Sequence, residues 1–191
     1  MYPSDTNSDH IAAGDTAILL TLRQQCDIII PKPEFEELLS MKIKFRKADL
    51  SNAELLIDIY NSSFYNDYIR YGECPAYGKT TEMMQRSIVE YPKFIILCSE
   101  KPVGCISCRE LRQGVYEVGC LCVIPEFQGK GIGTSAIEFV KSYYTDWDRF
   151  TLTTPADKSE NVLFYTEKCG FYIQSLETDG NVTVARFVLE R

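Results

Sequence analysis

The segment that most constrains this chain is Gln128-Gly-Lys-Gly131-Ile-Gly133-Thr134, which joins a strand-like run to an amphipathic helix. Glycine tolerates left-handed backbone and carries no Cβ, so the chain can turn sharply there and approach a ligand closely. The first turn of the following helix leaves amide N–H groups unpaired, and the helix dipole adds partial positive charge at the same end. Such a cradle suits a phosphate or pyrophosphate; the alternative is a glycine-rich turn that binds nothing. A Walker loop is excluded, because no Gly-Lys-Ser/Thr triplet follows four variable residues. Gly131-x-Gly133-x-x-Ala136 superficially matches a dinucleotide fingerprint, but a meander precedes it and little chain follows for a parallel βαβ series.

Periodicity and turn chemistry predict the other elements. Lys42 to Arg46 alternates as a strand. Ser51 and Glu54 are spaced as a capping box for a helix whose Leu55, Leu56, Ile59 and Tyr60 share a face to about Phe64. Phe64 to Gly78 reads as loop, and Thr80 or Thr81 caps a second helix to about Val89. Strands follow at 94–98, 103–111 and 115–124, joined by tight turns and therefore antiparallel neighbours. A helix from Gly131 to about Asp146, a strand at 150–153, and a helix capped by Asp157 or Ser159 and stopped by Gly170 come next. A hairpin around Asp179-Gly-Asn181 closes the chain. The order predicts an α+β domain: a mixed, mostly antiparallel central sheet flanked by about four helices.

Residues 1–40 carry −5 of the formal charge of −7, and the other 151 residues only −2. The main domain is thus near neutral without a basic block, which argues against a nucleic-acid or anionic-membrane partner. No apolar run approaches the roughly eighteen residues that span a bilayer. Residues 1–40, with a break at Pro31-Lys-Pro33, read as an N-terminal extension, either a partner-binding arm or a variable appendage, and Met41 opens the domain at 41–191. Eight cysteines in a chain of this size without an export signal indicate a reducing, cytoplasmic setting. Cys105-x-x-Cys108 and Cys120-x-Cys122 sit in strand-like runs, and the single histidine, His10, lies far away in the tail. No metal site is therefore expected, and Ser-His or Cys-His nucleophilic chemistry is disfavoured.

The run Leu121-Cys-Val-Ile-Pro125-Glu-Phe-Gln128-Gly-Lys-Gly131-Ile-Gly133, with a later Phe164-Tyr165 and Gly170-Phe171, resembles the GCN5-related N-acetyltransferase (GNAT) superfamily over about residues 42 to 191. The resemblance implies acetyl-CoA as co-substrate. Main-chain groups of Leu121, Cys122 and Val123 would pair with the pantetheine arm. Amides of Gln128, Gly129, Lys130, Gly131, Ile132, Gly133 and Thr134 would hold the pyrophosphate, and Asn161 would lie near the CoA arm. Valine at Gly131 or Gly133 is then expected to block the cradle and leave the fold largely intact. Gly119 is compatible with the bulge that splays the central strands of this family, or with plain packing.

The implied reaction needs a neutral amine, and an alkyl amine of pKa about 10.4 is protonated at pH 7, so a base or water relay is required. Glu117 has the spacing of the family's strand glutamate, and strict alternation would put 117, 119, 121 and 123 on one face; the alternative is an ordinary solvated charge. The leaving thiolate, with a pKa near 8.5, needs modest help that a phenol can give. Tyr165 is the candidate, although it stands five residues before Gly170 where the family has four. On a regular helix that offset turns the phenol by about 100°, and a buried core tyrosine is the alternative. Phe64, Tyr65, Tyr68, Tyr71 and Tyr77, interleaved with Asp67 and Glu73, either receive a cationic amine or seal the core. The partner expected is a small-molecule or peptide amine, with homodimer assembly left open.

Overall fold

The computed structural model describes residues 41–191. The expectations for residues 1–40, His10 among them, lie outside the described residues.

Strand β1 (Ile43–Lys47) leads through a 3-10 turn at Leu50–Asn52 into helix α1 (Ala53–Tyr71), and helix α2 (Thr81–Glu90) follows. The meander comprises β2 (Lys93–Cys98), β3 (Lys101–Arg112) and β4 (Val115–Val123). Helix α3 (Ile132–Tyr143), β5 (Arg149–Pro155) and α4 (Ser159–Leu163) come next. Helix α4 runs on as a π-helical segment over Phe164–Lys168, before β6 (Tyr172–Asp179) and β7 (Val182–Glu190). The seven strands form one sheet in the order β1-β2-β3-β4-β5-β7-β6. Every neighbouring pair is antiparallel except β4 with β5. This is the mixed α+β sheet with four helices that the order of elements predicts.

Each face of the sheet is covered by its own core. On one, Ile132, Ala136, Ile137 and Val140 of α3 and Tyr165 pack against Phe94, Ile96, Ile106, Tyr116, Val118, Phe150 and Phe187. On the other, Leu56, Ile59 and Tyr60 of α1 and Met84 and Ile88 of α2 pack against Ile95, Cys105 and Cys122. Alternation along β2 sends Phe94 and Ile96 to the first core and Ile95 to the second, as a strand buried on both faces requires.

Several boundaries differ from the expectation. The capping box is formed by Asp49 and Asn52 around the 3-10 turn, where Ser51 N donates to Asp49 Oδ1 at 2.8 Å, so Ser51 and Glu54 do not form it. Helix α1 continues through the predicted loop to Tyr71 and stops at Gly72, whose φ is 75°. Its last turns are held from elsewhere in the chain: Lys158 donates to both oxygens of Asp67 at 2.7 and 2.8 Å, and Tyr71 Oη donates to Asp157 at 2.7 Å. Asp157 is thereby taken, and neither it nor Ser159 caps α4, whose N-cap position is Lys158. Helix α3 ends at Tyr143, three residues early, and the Trp147 indole N–H donates to the Lys141 carbonyl at 3.1 Å beside that end.

Thr80 caps α2 as expected, its hydroxyl accepting from Met83 N at 3.3 Å. Replacing it with alanine leaves a first-turn amide unpaired, for which about 1 kcal/mol is typical. Thr80→Ala is therefore expected to lower the melting temperature by roughly 2–4 °C, measured by circular dichroism, without altering the fold.

The feature that positions the site is a split in the sheet. Strands β4 and β5 pair only where Val115 to Glu117 meet Arg149 to Thr151. Beyond Glu117, β4 stays with β3 while β5 stays with β7 as far as Pro155. The β3 register shows the device: Ser107 faces Cys120 and Cys108 faces Val118, which leaves Gly119 as an extra residue. A bulge of this kind bends a strand and increases its twist. Only glycine fits there, because a Cβ would lie 2.6 Å from the Tyr91 ring.

Candidate active site

The loop after β4 closes back on the strand, with Gln128 Nε2 donating to the Val123 carbonyl at 2.8 Å. Gly129 and Gly131 adopt φ of 74° and 77°, and a Cβ on either would meet nothing within 4 Å. Left-handed glycines that border open space leave room for a ligand to approach the backbone. The first helical hydrogen bond of α3 runs from Ser135 N to the Gly131 carbonyl at 3.0 Å. The amides of Ile132, Gly133 and Thr134 therefore have no helical acceptor. The Ile132 side chain is buried, so its amide is the available group. Lys130 and Lys101 lie over the Phe127 ring at 5.2 and 5.0 Å, adding positive charge at the rim. These residues fit a pyrophosphate.

Gly133 is different. A Cβ there would come within 3.0 Å of the Phe164 ring, so this glycine lets α3 pack on the π-helical segment. The expectation that valine at either position spares the fold thus has room at Gly131 and lacks it at Gly133.

The unpaired stretch of β4 leads away from the cradle and carries Leu121, Cys122 and Val123. Because of the bulge, strict alternation fails. Tyr116 and Val118, then Leu121 and Val123, face the α3 core, whereas Cys120 and Cys122 face α1. Glu117 accordingly shares the α1 face with the two cysteines, not with Leu121 and Val123 as alternation predicts. Its carboxylate is a quarter exposed and gripped at one oxygen: Tyr91 Oη donates to Oε2 at 3.1 Å, and Arg109 Nε donates at 3.0 Å. No partner holds Oε1 among the described residues. The Arg109 guanidinium also stacks over the Tyr91 ring at 4.0 Å. Burial, then the Glu117 carboxylate, pushes the Tyr91 phenol up. Tyr91 and Arg109 were not singled out in the sequence. Arg109 was reachable, because it faces Glu117 across the hairpin that turns at Gln113-Gly114. Tyr91 carries no local signal.

Tyr165 is 8% exposed, ringed by Phe164, Phe171 and Phe187 at centroid distances of 4.9, 5.8 and 5.6 Å. A π-helical turn accommodates one residue more than an α-helical turn. It absorbs the additional residue before Gly170, and Tyr165 points into the molecule while Thr166 bonds back to the Val162 carbonyl. Burial pushes the phenol up, and the ring belongs to the α3-face core, whereas Cys120 and Cys122 belong to the α1-face core. Asn161 donates to Thr154 Oγ1 at 2.9 Å, across the widened gap on the β5 side.

The cysteine pairs separate. Cys105 belongs to the α1 core and Cys108 to the α3 core. Among the described residues no group of three or more His, Cys, Asp or Glu side chains is placed to hold a metal ion. In the aromatic segment the rings pack on one another at the surface: Tyr77 stacks on Tyr68 at 4.7 Å and tilts against Tyr65 at 6.0 Å, with Tyr65 and Tyr68 both exposed.

Known proteins share this fold. The fold is similar to that of spermidine N-acetyltransferase from Vibrio cholerae, solved with CoA and spermine, at TM-score 0.63 and 17% identity over 78% of this chain and 95% of that one. It is also similar to the Salmonella typhimurium acetyl transferase that modifies the N-terminal serine of ribosomal protein L7/L12, at TM-score 0.64 and 13% identity over 81% and 97%. An uncharacterised Bacillus subtilis protein, YrkN, is 39% identical over 51 residues, which span 27% of this chain and 28% of that relative. Residues 54–171 match the family described as Acetyltransferase (GNAT) family. Since that span is well over half of the chain and runs from α1 through the split and the cradle to the turn after the π-helical segment, this chain belongs to the GNAT acetyltransferase family.

Proposed function

We propose that this chain is an acyl-CoA-dependent N-acetyltransferase that moves acetyl from acetyl-CoA to a primary amine of a small molecule or peptide by direct attack. The observation that carries the reading is the meeting of a backbone-amide cradle, at Gly129 to Thr134, with a strand edge freed by the bulge at Gly119. Acetyl-CoA supplies the acyl carbon and a thiolate leaving group. The cradle amides, with Gln128 and Lys130, hold the pyrophosphate. The edge at Leu121 to Val123, where the Val123 carbonyl already accepts from Gln128, lines the pantetheine arm, and Asn161 borders it. Glu117 Oε1 takes the proton as the amine nitrogen attacks the thioester carbonyl. The carbon–sulfur bond then breaks, and Tyr165 gives its proton to the sulfur.

Thiol release from acetyl-CoA with a panel of amines tests this. Release with small amines supports the reading. Release with peptides alone selects protein or N-terminal acetylation, and CoA binding without release selects a binding module. Among the described residues no helix is long and apolar enough to cross a membrane. The catalytic unit on this reading is 41–191. A chain beginning at Met41 is expected to fold and turn over like the full chain, checked by circular dichroism and thiol release. Aggregation or lost CoA binding would mean that residues 1–40 complete the core.

A further inference from the structure

Beside the split, on the α1 face, two lysines stand without an acidic partner among the described residues. Lys93, the first residue of β2, is 2% exposed, the one charged side chain in the core among the described residues. Its ammonium lies 5.7 Å from the Tyr60 ring centroid and 5.8 Å from that of Tyr91, and no ion pair among the described residues includes it. Lys79, half-buried at the end of the loop between α1 and α2, lies within electrostatic reach of Lys93, and both act on the Cys120 thiol. Asn61 Oδ1 accepts from Gly78 N at 2.9 Å and so fixes the loop next to Lys79. Two hydroxyls complete the group. Tyr60 Oη and Ser63 Oγ, one turn apart on α1, are buried with no oxygen or nitrogen partner among the described residues, and their polar neighbours across the interface are the weakly bonding Cys120 and Cys122 thiols.

A buried cation without a counter-charge is strongly unfavourable, and so is a buried hydroxyl with an unmade bond. Here Lys93 lies against Tyr60, and Lys79 and Ser63 border the same pair of thiols, with no carboxylate in the group among the described residues. Of the nearby acids, Asp67 is held by Lys158, Asp157 by Arg70 and Tyr71, and Glu117 at one oxygen by Arg109 and Tyr91, while Glu90 stands exposed beyond Tyr91. The face is therefore poor in groups that would hold the second ammonium of a polyamine and rich in donors for an anion. A carboxylate accepts several such bonds at once, and charge-assisted bonds of this type are the strong ones.

We propose that the acceptor is an amino carboxylate, a free amino acid or a close analogue, whose carboxylate is bound by Lys93 and Lys79 with the Tyr60 and Ser63 hydroxyls while its amine faces Glu117. The inference rests on the N-acetyltransferase reading above and narrows its substrate class.

Calorimetry on the full chain saturated with CoA compares a panel of N-acetyl amino acids with their carboxamides, and thiol release compares the free amino acids with their amides and with spermidine. At least one acid is expected to bind about tenfold more tightly than its amide, and amino acids to be turned over in preference to amides and spermidine. Lys93→Met and Lys79→Ala are expected to erase the preference by raising KM for the acids while kcat and CoA affinity stay near wild type. Should Lys93→Met fail to fold, Lys79→Ala at its half-buried position carries the comparison. Equal binding of acids and amides across the panel, or a preference for spermidine, overturns the proposal and leaves the N-acetyltransferase reading standing. If no amine releases thiol, that reading falls, and the calorimetric comparison alone decides whether an anion site exists.

Discussion

Glu117→Gln is expected to lower turnover by roughly 10²–10⁴, the usual worth of a positioned general base, with CoA affinity nearly unchanged. Glutamine keeps the shape and can still accept from Tyr91 and Arg109, so the loss reports the missing basicity and not a collapsed strand. The grip of those two partners on Oε2 alone is what makes the carboxylate suitable: it is oriented, and its other oxygen is left for the amine. Raising the pH increases the neutral fraction of an amine of pKa about 10.4, so the variant should recover in part as the pH climbs while the wild type gains less. Wild-type turnover at pH 7 in Glu117→Gln would remove the base assignment. Suspicion would then pass to a water relay ending at Tyr165.

Gly131→Val is expected to weaken CoA binding by roughly 10²–10³, because a branched side chain in the cradle excludes the pyrophosphate from the amides, and two hydrogen bonds to a charged group are lost at about 1.5–3 kcal/mol each. Its φ of 77° also strains the variant, at a cost of about 1–2 kcal/mol for a residue with a Cβ. A thermal melt separates the two effects, since the strain is far too small to account for the binding loss. Gly133→Val is expected to behave differently, with a larger drop in melting temperature, because its Cβ meets the Phe164 ring and not open space. Unchanged CoA affinity in folded Gly131→Val, measured by calorimetry, would put the ligand elsewhere.

The sequence by itself determined whatever depends on neighbours along the chain. The glycine loop was legible because left-handed backbone at Gly129 and Gly131 is a local demand that glycine meets. The meander from β2 to β4 was legible because tight turns leave consecutive strands no arrangement but the antiparallel one. Gly119 could be suspected as a bulge, yet its consequence was not readable. A single extra residue reverses which side chains point to which face, and a period-of-two argument run through it puts Glu117 opposite its true side. Tertiary structure decided the rest. Helix α1 runs past its local signals because Lys158 and Asp157, far along the chain, hold Asp67, Arg70 and Tyr71. The five-residue offset of Tyr165 turns into an inward phenol because a π-helical turn is stable where Phe171 and Phe187 surround the ring. Lys93 looks in the sequence like any strand-end lysine. It is a buried lysine with no ion pair among the described residues only because α1 and the bulged β4 close over β2, and burial is a property of what covers a side chain.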